Sequence, residues 1–389
     1  MMTRFRQAAW LVILAALTAG RAQACPFCSA VSQTFSQEMA TMDVVVIARL
    51  VTPPPPDAKP GTGKASRAVF EVAKVLKGAS HLQPHQKIET VYYGKGKPGD
   101  QFYLTAVDPP RLMWSTPVKL TPRSAAYMER LPGLPKEGAA RLKFFLDYLE
   151  DDEDLLRQDA YDEFARAPYQ WLTGLKGELD HGKLVKWVHD ADIPVSRRRL
   201  YFVLVGISGS SKDNAWIERL LRSDDKRSKA GLDALAACYL TINGAGGLPL
   251  LEKLYLANPD AEYVDTYAVI QAIRFHGSSS DRIPRERLIQ SLHLVLDRPK
   301  MADLVIPDLA RWKDWSQIDR MAELFREADE QTTWLRVPVV NYLRVCPLEK
   351  AKKTLEELRK IDPQAVRRAE TYFPVTGAAP AAKKTPQDR

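Results

Sequence analysis

The amino-acid sequence predicts a multidomain α+β protein, a small antiparallel β-barrel followed by an all-α solenoid. Three observations carry this. Residues 43–119 hold short β-branched runs separated by Gly and Pro turns. From about Glu137 the apolar residues change to helical spacing. Within that helical part, two-helix units recur at intervals of 32 to 38 residues, the mark of a stacked array.

Taken in order, the chain begins with a secretory signal. Arg4 and Arg6 precede an uncharged apolar run, Ala8–Ala19, and a small-x-small site at Ala22 and Ala24. Positive region, short apolar core and cleavage site are the three parts of a signal peptide, and an anchor would need about 20 apolar residues. Residues 1–24 are therefore expected to be removed after Ala24, leaving an exported, periplasmic or extracellular protein that starts at Cys25. Lipoprotein processing with Cys25 acylated is the alternative; Ala22 stands where such signals carry Leu. Removing Arg4, Arg6 and Arg21 lowers the formal charge from +8 to +5. That excess is spread thinly, without a basic stripe interleaved with aromatics, which argues against nucleic-acid binding. No later segment reads as apolar enough to span a membrane.

Five strands are expected in the first domain. Met42–Val51 is a β-branched run ended by Pro53–Pro56, and Pro53–Gly63 reads as a long exposed loop. Ala68–Leu76 alternates before Lys77-Gly78, and Lys87–Tyr93, Gln101–Val107 and Arg111–Leu120 follow. Five short strands with no helical pattern between them suggest a small barrel or sandwich.

Residues 121–136 read as a linker and 137–373 as the helical domain. Ala140, Leu142, Phe144, Phe145, Tyr148 and Leu149 share one side of a helix. Asp151-Asp152-Glu153-Asp154 is expected as the solvated first turn of the next, where acidic residues suit the macrodipole. Further on, second helices of successive pairs are expected near Ser196, Ser228, Tyr263, Met301 and Thr333. Each follows a shorter amphipathic helix: Leu184–His189, Trp216–Leu221, Leu248–Tyr255, Leu288–Leu296 and Ile318–Phe325. Units of this size bury their apolar faces only by stacking. The tail, 374–389, is expected to be disordered.

Two family resemblances follow from these residues. The helical half resembles HEAT-like repeats in its period and in a recurring Asp-Ala, as at Asp159-Ala160 and Asp233-Ala234. That resemblance implies a concave surface offered to a protein partner. The amino-terminal half carries a Cys motif, then Phe35, Asp43–Leu50 and Phe70–Gly78. In this it resembles the netrin-like OB barrel of the tissue inhibitors of metalloproteinases. The resemblance implies an OB-like fold and a mature amino-terminal Cys whose amine and carbonyl chelate a protease's zinc; Cys25 is the matching position and hence the candidate metal-contacting residue. The family has Cys-x-Cys and further barrel cysteines, whereas this chain has Cys25-Pro26-Phe27-Cys28 and none in the barrel.

CxxC chemistry has several possible sources. A dithiol oxidoreductase needs a strand before the motif and a helix carrying it, but a signal peptide stands there. A structural zinc site needs four ligands, and no second pair is present. A c-type haem would need His at Ser29. A local Cys25–Cys28 disulfide, or two thiols, is the simplest expectation. Cys238 and Cys346 sit in apolar helical contexts as buried thiols. The six His are scattered, and Gly244-Ala245-Gly246-Gly247 reads as a helix cap rather than a phosphate loop. Most Trp are expected in the core. The remaining candidates for partner contact are Arg197, Arg198, Arg199, Trp312 and Trp315. The sequence thus points to an exported, non-catalytic scaffold without a cofactor. The alternatives are an inhibitor acting through the Cys25 terminus and a CxxC thiol oxidoreductase.

Overall fold

A computed structural model describes residues 27, 28, 30, 32–55 and 66–372 of the chain. The expected signal segment (residues 1–24), Cys25, most of the Pro/Gly loop and the tail 374–389 lie outside the described residues. The chain divides into two compact units, Met1–Leu179 and Asp180–Arg389.

Among the described residues, helix α1 (Phe35–Thr41) comes first in the first unit. Strands β1 (Val44–Thr52), β2 (Arg67–Lys77), β3 (Lys87–Val91), β4 (Gln101–Val107), β5 (Met113–Trp114) and β6 (Val118–Leu120) follow. They form one antiparallel sheet in the order β3-β2-β1-β4-β5, with β6 also on β4. The sheet curls into a nearly closed OB-like barrel, and the chain crosses from β3 to β4 past β1 in Greek-key fashion. Val44, Val46, Ala48 and Leu50 alternate into the barrel core with Phe70, Tyr92 and Phe102, three rings whose centroids lie 5.1 to 6.1 Å apart. Val45, Ile47, Tyr103 and Thr105 point the other way and are buried too. That explains why β1 is apolar on both faces. Arg111–Leu120, expected as one strand, forms two short ones. Pro117 lies between them and has no N–H to give to the ladder.

Residues 121–136, expected as linker, hold helix α2 (Pro122–Arg130), with Thr121 as its capping residue and Pro at its first position. It packs on β4 and β6. Helices α3 (Ala139–Leu146), α4 (Asp154–Arg166) and α5 (Tyr169–Thr173) also belong to this unit rather than to the second. Asp151 is not part of a solvated turn: it is only 7% exposed and accepts from Arg123 Nε at 2.8 Å, tying the start of α4 to α2.

The second unit is a stack of helix pairs. They are α6 (His181–His189) with α7 (Val195–Ser208), then α8 (Asn214–Leu221) with α9 (Leu232–Asn243). Next come α10 (Leu248–Leu251, continued by a π turn) with α11 (Tyr263–Ser279), and α12 (Arg285–Leu296) with α13 (Ile306–Arg311). The last two are α14 (Ile318–Glu327) with α15 (Arg336–Val345), and α16 (Glu349–Ile361) with α17 (Pro363–Tyr372). Second helices pack on second helices, as α7 on α9 and α9 on α11, while α14 packs on α16 in the other layer. Ion pairs link neighbouring helix pairs: Arg199–Asp233, Lys229–Asp265, Arg274–Asp308 and Arg336–Asp362, all within 2.9 Å. The expected starts fall within a few residues of the observed ones. Those of α13 and α15 come later because 3-10 turns, Ala302–Leu304 and Thr333–Leu335, precede them.

Among the described residues one stretch, Leu232–Leu256, is long and apolar enough to cross a membrane by length and composition, where the sequence reading expects none. It is α9, a Gly-rich turn and α10, and 61% of its most apolar window is buried in the stack.

Candidate interaction surfaces

Residues 32–41, which follow the CxxC pair in the sequence, form an arm that α4 holds in place. Thr34 caps α1 reciprocally with Gln37. The Phe35 amide donates to Asp159 Oδ1 at 2.8 Å and the Ser32 amide to Asp162 Oδ2 at 3.2 Å. Arg166 donates to the Ser32 carbonyl at 2.6 Å and to Gln37 Oε1 at 3.0 Å. Below, the Phe35 ring meets Tyr103 of β4 edge-on at 5.4 Å. Lys77 closes the far end of α1 on the Met39 and Ala40 carbonyls. Phe27 is buried and Cys28 is half-buried. The expected Cys25–Cys28 bridge and the zinc-chelating terminus fall on Cys25, outside the described residues. From Ser32 onward, hydrogen bonds from α4 position the arm without any barrel disulfide.

In the second unit, the open ends of α7, α9 and α11 border a groove of about 390 Å³. It is lined by the Arg199–Asp233 and Lys229–Asp265 pairs together with Lys226, Asp224 and Glu262. Along one wall run Val264, 63% exposed, and Tyr267, 38% exposed; Tyr263, 50% exposed, stacks on Tyr267 with ring planes 6° apart. Large side chains left this bare beside a polar groove are the informative surface, since scattered exposed apolar residues are normal.

The structure separates the expected contact residues. Arg199 lines the groove. Arg198 instead turns inward, its Nε donating to the Val188 carbonyl at 2.9 Å and Nη1 to the Arg227 carbonyl at 2.7 Å; burial lowers its pKa. Arg197 is half-buried on the same turn. Trp312 lies half-buried over Gly277, with Arg285 6.0 Å above its ring. Trp315 packs edge-on against Tyr342 at 5.2 Å. The tryptophans expected in the core are half-buried, except Trp334, which is 49% exposed. Cys238 and Cys346 are buried.

The fold also assembles a group that sequence spacing did not suggest. His181 Nδ1 lies 3.1 Å from Ser208 Oγ, and its Nε2 lies 2.9 Å from Asp213 Oδ1. A nucleophilic serine would give its proton to the imidazole. Here the Ser208 hydroxyl donates to the Leu204 carbonyl at 3.0 Å. Asp213 also receives the Ser210 amide and the Trp216 indole. Burial works against the charge of Asp213, but these bonds and His181 together hold its carboxyl below the ordinary range. The group is a bracket between α6, α7 and α8. Members 27 and 32 residues apart leave no local motif. Among the described residues, no three His, Cys, Asp or Glu side chains are placed to hold a metal ion.

Compared with known proteins, the chain matches no family model and no curated protein.

Proposed function

We propose that this is an exported, non-catalytic scaffold that engages a protein partner through the HEAT-like face of its helical stack. The netrin-like barrel carries the processed amino terminus. The observation that carries this is the bare Tyr263–Val264–Tyr267 stripe along the Arg199–Lys226–Lys229 groove. Interface cores favour tyrosine and arginine, set among polar groups that orient the partner. Repeat stacks present such surfaces because each unit contributes one helix end to a continuous edge.

The test is site-specific photo-crosslinking in the native host, with a benzophenone amino acid at Tyr267. A discrete adduct, lost when Val264→Asp is added and absent when the probe sits on exposed Lys350, supports the assignment. No adduct, or one indifferent to Val264→Asp, overturns it.

An inhibitor-like role for the Cys25 terminus has one support, the firm seating of residues 32–41 on α4 and the barrel. Mature protein with a confirmed Cys25 terminus, assayed against a panel of zinc proteases, decides it. Absence of inhibition retires the idea.

A further inference from the structure

The seat of the amino-terminal arm gathers three buried carboxyls on one helix. Asp159, Asp162 and Glu163 of α4 are 5%, 1% and 9% exposed. The nearby cations are already engaged. Arg141 of α3 forks onto Glu163 at 2.8 and 2.9 Å, and Arg166 of α4 serves Ser32 and Gln37. Asp159 faces Tyr127 of α2, whose hydroxyl donates to it at 2.5 Å, and the Phe35 amide of α1. Among the described residues, Tyr103 of β4 and Glu38 of α1 also face the seat. Neither is a cation. The Tyr103 hydroxyl and Ser36 Oγ are buried with no hydrogen-bond partner among the described residues, so the seat is polar but not fully satisfied.

We propose that the arm is a proton-controlled strap: with Asp159 protonated, α4 holds residues 32–38 against the barrel, and loss of that proton loosens them. Burial pushes Asp159 from 3.8 up to about 7, against the opposing bonds from Tyr127 and Phe35, with Glu163 and Asp162 adding to the rise. Lifting the arm admits water, and the carboxyl returns toward its ordinary value. The seated state therefore keeps a proton that the lifted state releases. Seating is strongest below about pH 4, weakens as pH rises, and levels off above about 7. Glu38, also raised by burial, though its bond from Thr105 opposes this, acts in the same direction.

Residue-resolved hydrogen–deuterium exchange on the full mature protein tests this. Rates are corrected for intrinsic chemistry between pH 4.5 and 8.5, with β4 amides gauging global opening. The opening constant at Ser32 and Phe35 should rise by up to about tenfold per pH unit, the limit for one proton, and flatten above about 7. Asp159→Asn should remove the slope. The same slope in that variant, or Ser32 and Phe35 following the β4 amides throughout, overturns the proposal. Should Asp159→Asn fail to fold, Tyr127→Phe serves. It removes a bond that favours the carboxylate, so the inflection should move to higher pH, and an unmoved inflection is equally fatal.

Discussion

Glycines that look alike in the sequence differ sharply in what surrounds them. A Cβ added at Gly277 would lie 2.3 Å from the Trp312 ring, whereas one at Gly246 would meet nothing within 4 Å. Gly277 is the floor on which Trp312 lies. Gly277→Ala should therefore displace the indole and destabilise the second unit by about 1–3 kcal/mol, the usual cost of overpacking. Gly246→Ala should stay within about 0.5 kcal/mol. Urea unfolding followed by near-UV circular dichroism reads both; equal effects would show that Trp312 is not held there. At this scale little was legible in the sequence. The contact between Gly277 and Trp312 spans 35 positions, and no local pattern announces it. The inward turn of Arg198 was equally hidden, because its acceptors are backbone carbonyls contributed by other segments.

Between elements, the ion-pair ladder links one helix pair of the second unit to the next. Asp308 is fully buried and accepts from Arg274 Nε at 2.8 Å, while it also pairs with Arg311 at 2.9 Å. Arg311 is 64% exposed against 24% for Arg274. Removing a buried partner strands a desolvated charge, whereas an exposed one is replaced by water. Because Asp308 then keeps Arg311 alone, Arg274→Ala should cost about 1–3 kcal/mol, and Arg311→Ala about 1 kcal/mol or less, measured by denaturant titration. Similar costs for the two would overturn the ranking. The helix pairs were legible because a 3.6-residue period and a 30-odd-residue repeat both survive in the sequence. Helix α1 escaped because it spans seven residues, too few to show periodicity. The signal that would have found it is the Thr34–Gln37 capping box.

Across the molecule, two buried groups answer acid in opposite ways. His276 in the second unit is 1% exposed, with its Nε2 3.1 Å from the Ala237 carbonyl. Burial outweighs that bond and lowers its pKa to about 4. Between about pH 6.5 and 4 the unfolded chain takes up a proton there that the folded chain refuses, so acid costs this unit stability. Asp159 in the first unit is raised to about 7, so the folded form keeps a proton that the unfolded form loses above 3.8, and acid adds stability. On lowering the pH from 7.5 to 4.5, calorimetry should show the second unit's transition falling relative to the first. His276→Gln should reduce the first effect and Asp159→Asn the second. Transitions that move together in the native protein would contradict this assignment. Further acid should bring down the second unit through Asp314 and Asp362. Burial works against their charge, yet bonds from His293 and Ser316, and from Ala365 and Arg336, hold both carboxyls low; that stability disappears as pH falls below about 4.

The candidate surfaces divide in the same way. Arg199 was visible as one of three adjacent arginines, but the stripe it faces is not, since Tyr263, Val264 and Tyr267 read as ordinary apolar positions of an amphipathic helix. The sequence by itself determined the α+β order, the strands of the barrel and the pairing of helices, because side-chain periodicity is local and repeats along the chain. Only the tertiary structure decided that α2 to α5 belong with the barrel, that α4 seats the arm behind the CxxC pair, and which apolar residues stay bare. Those outcomes depend on which distant surface removes a face from water, and a single amphipathic pattern is satisfied equally well by any neighbour that covers it.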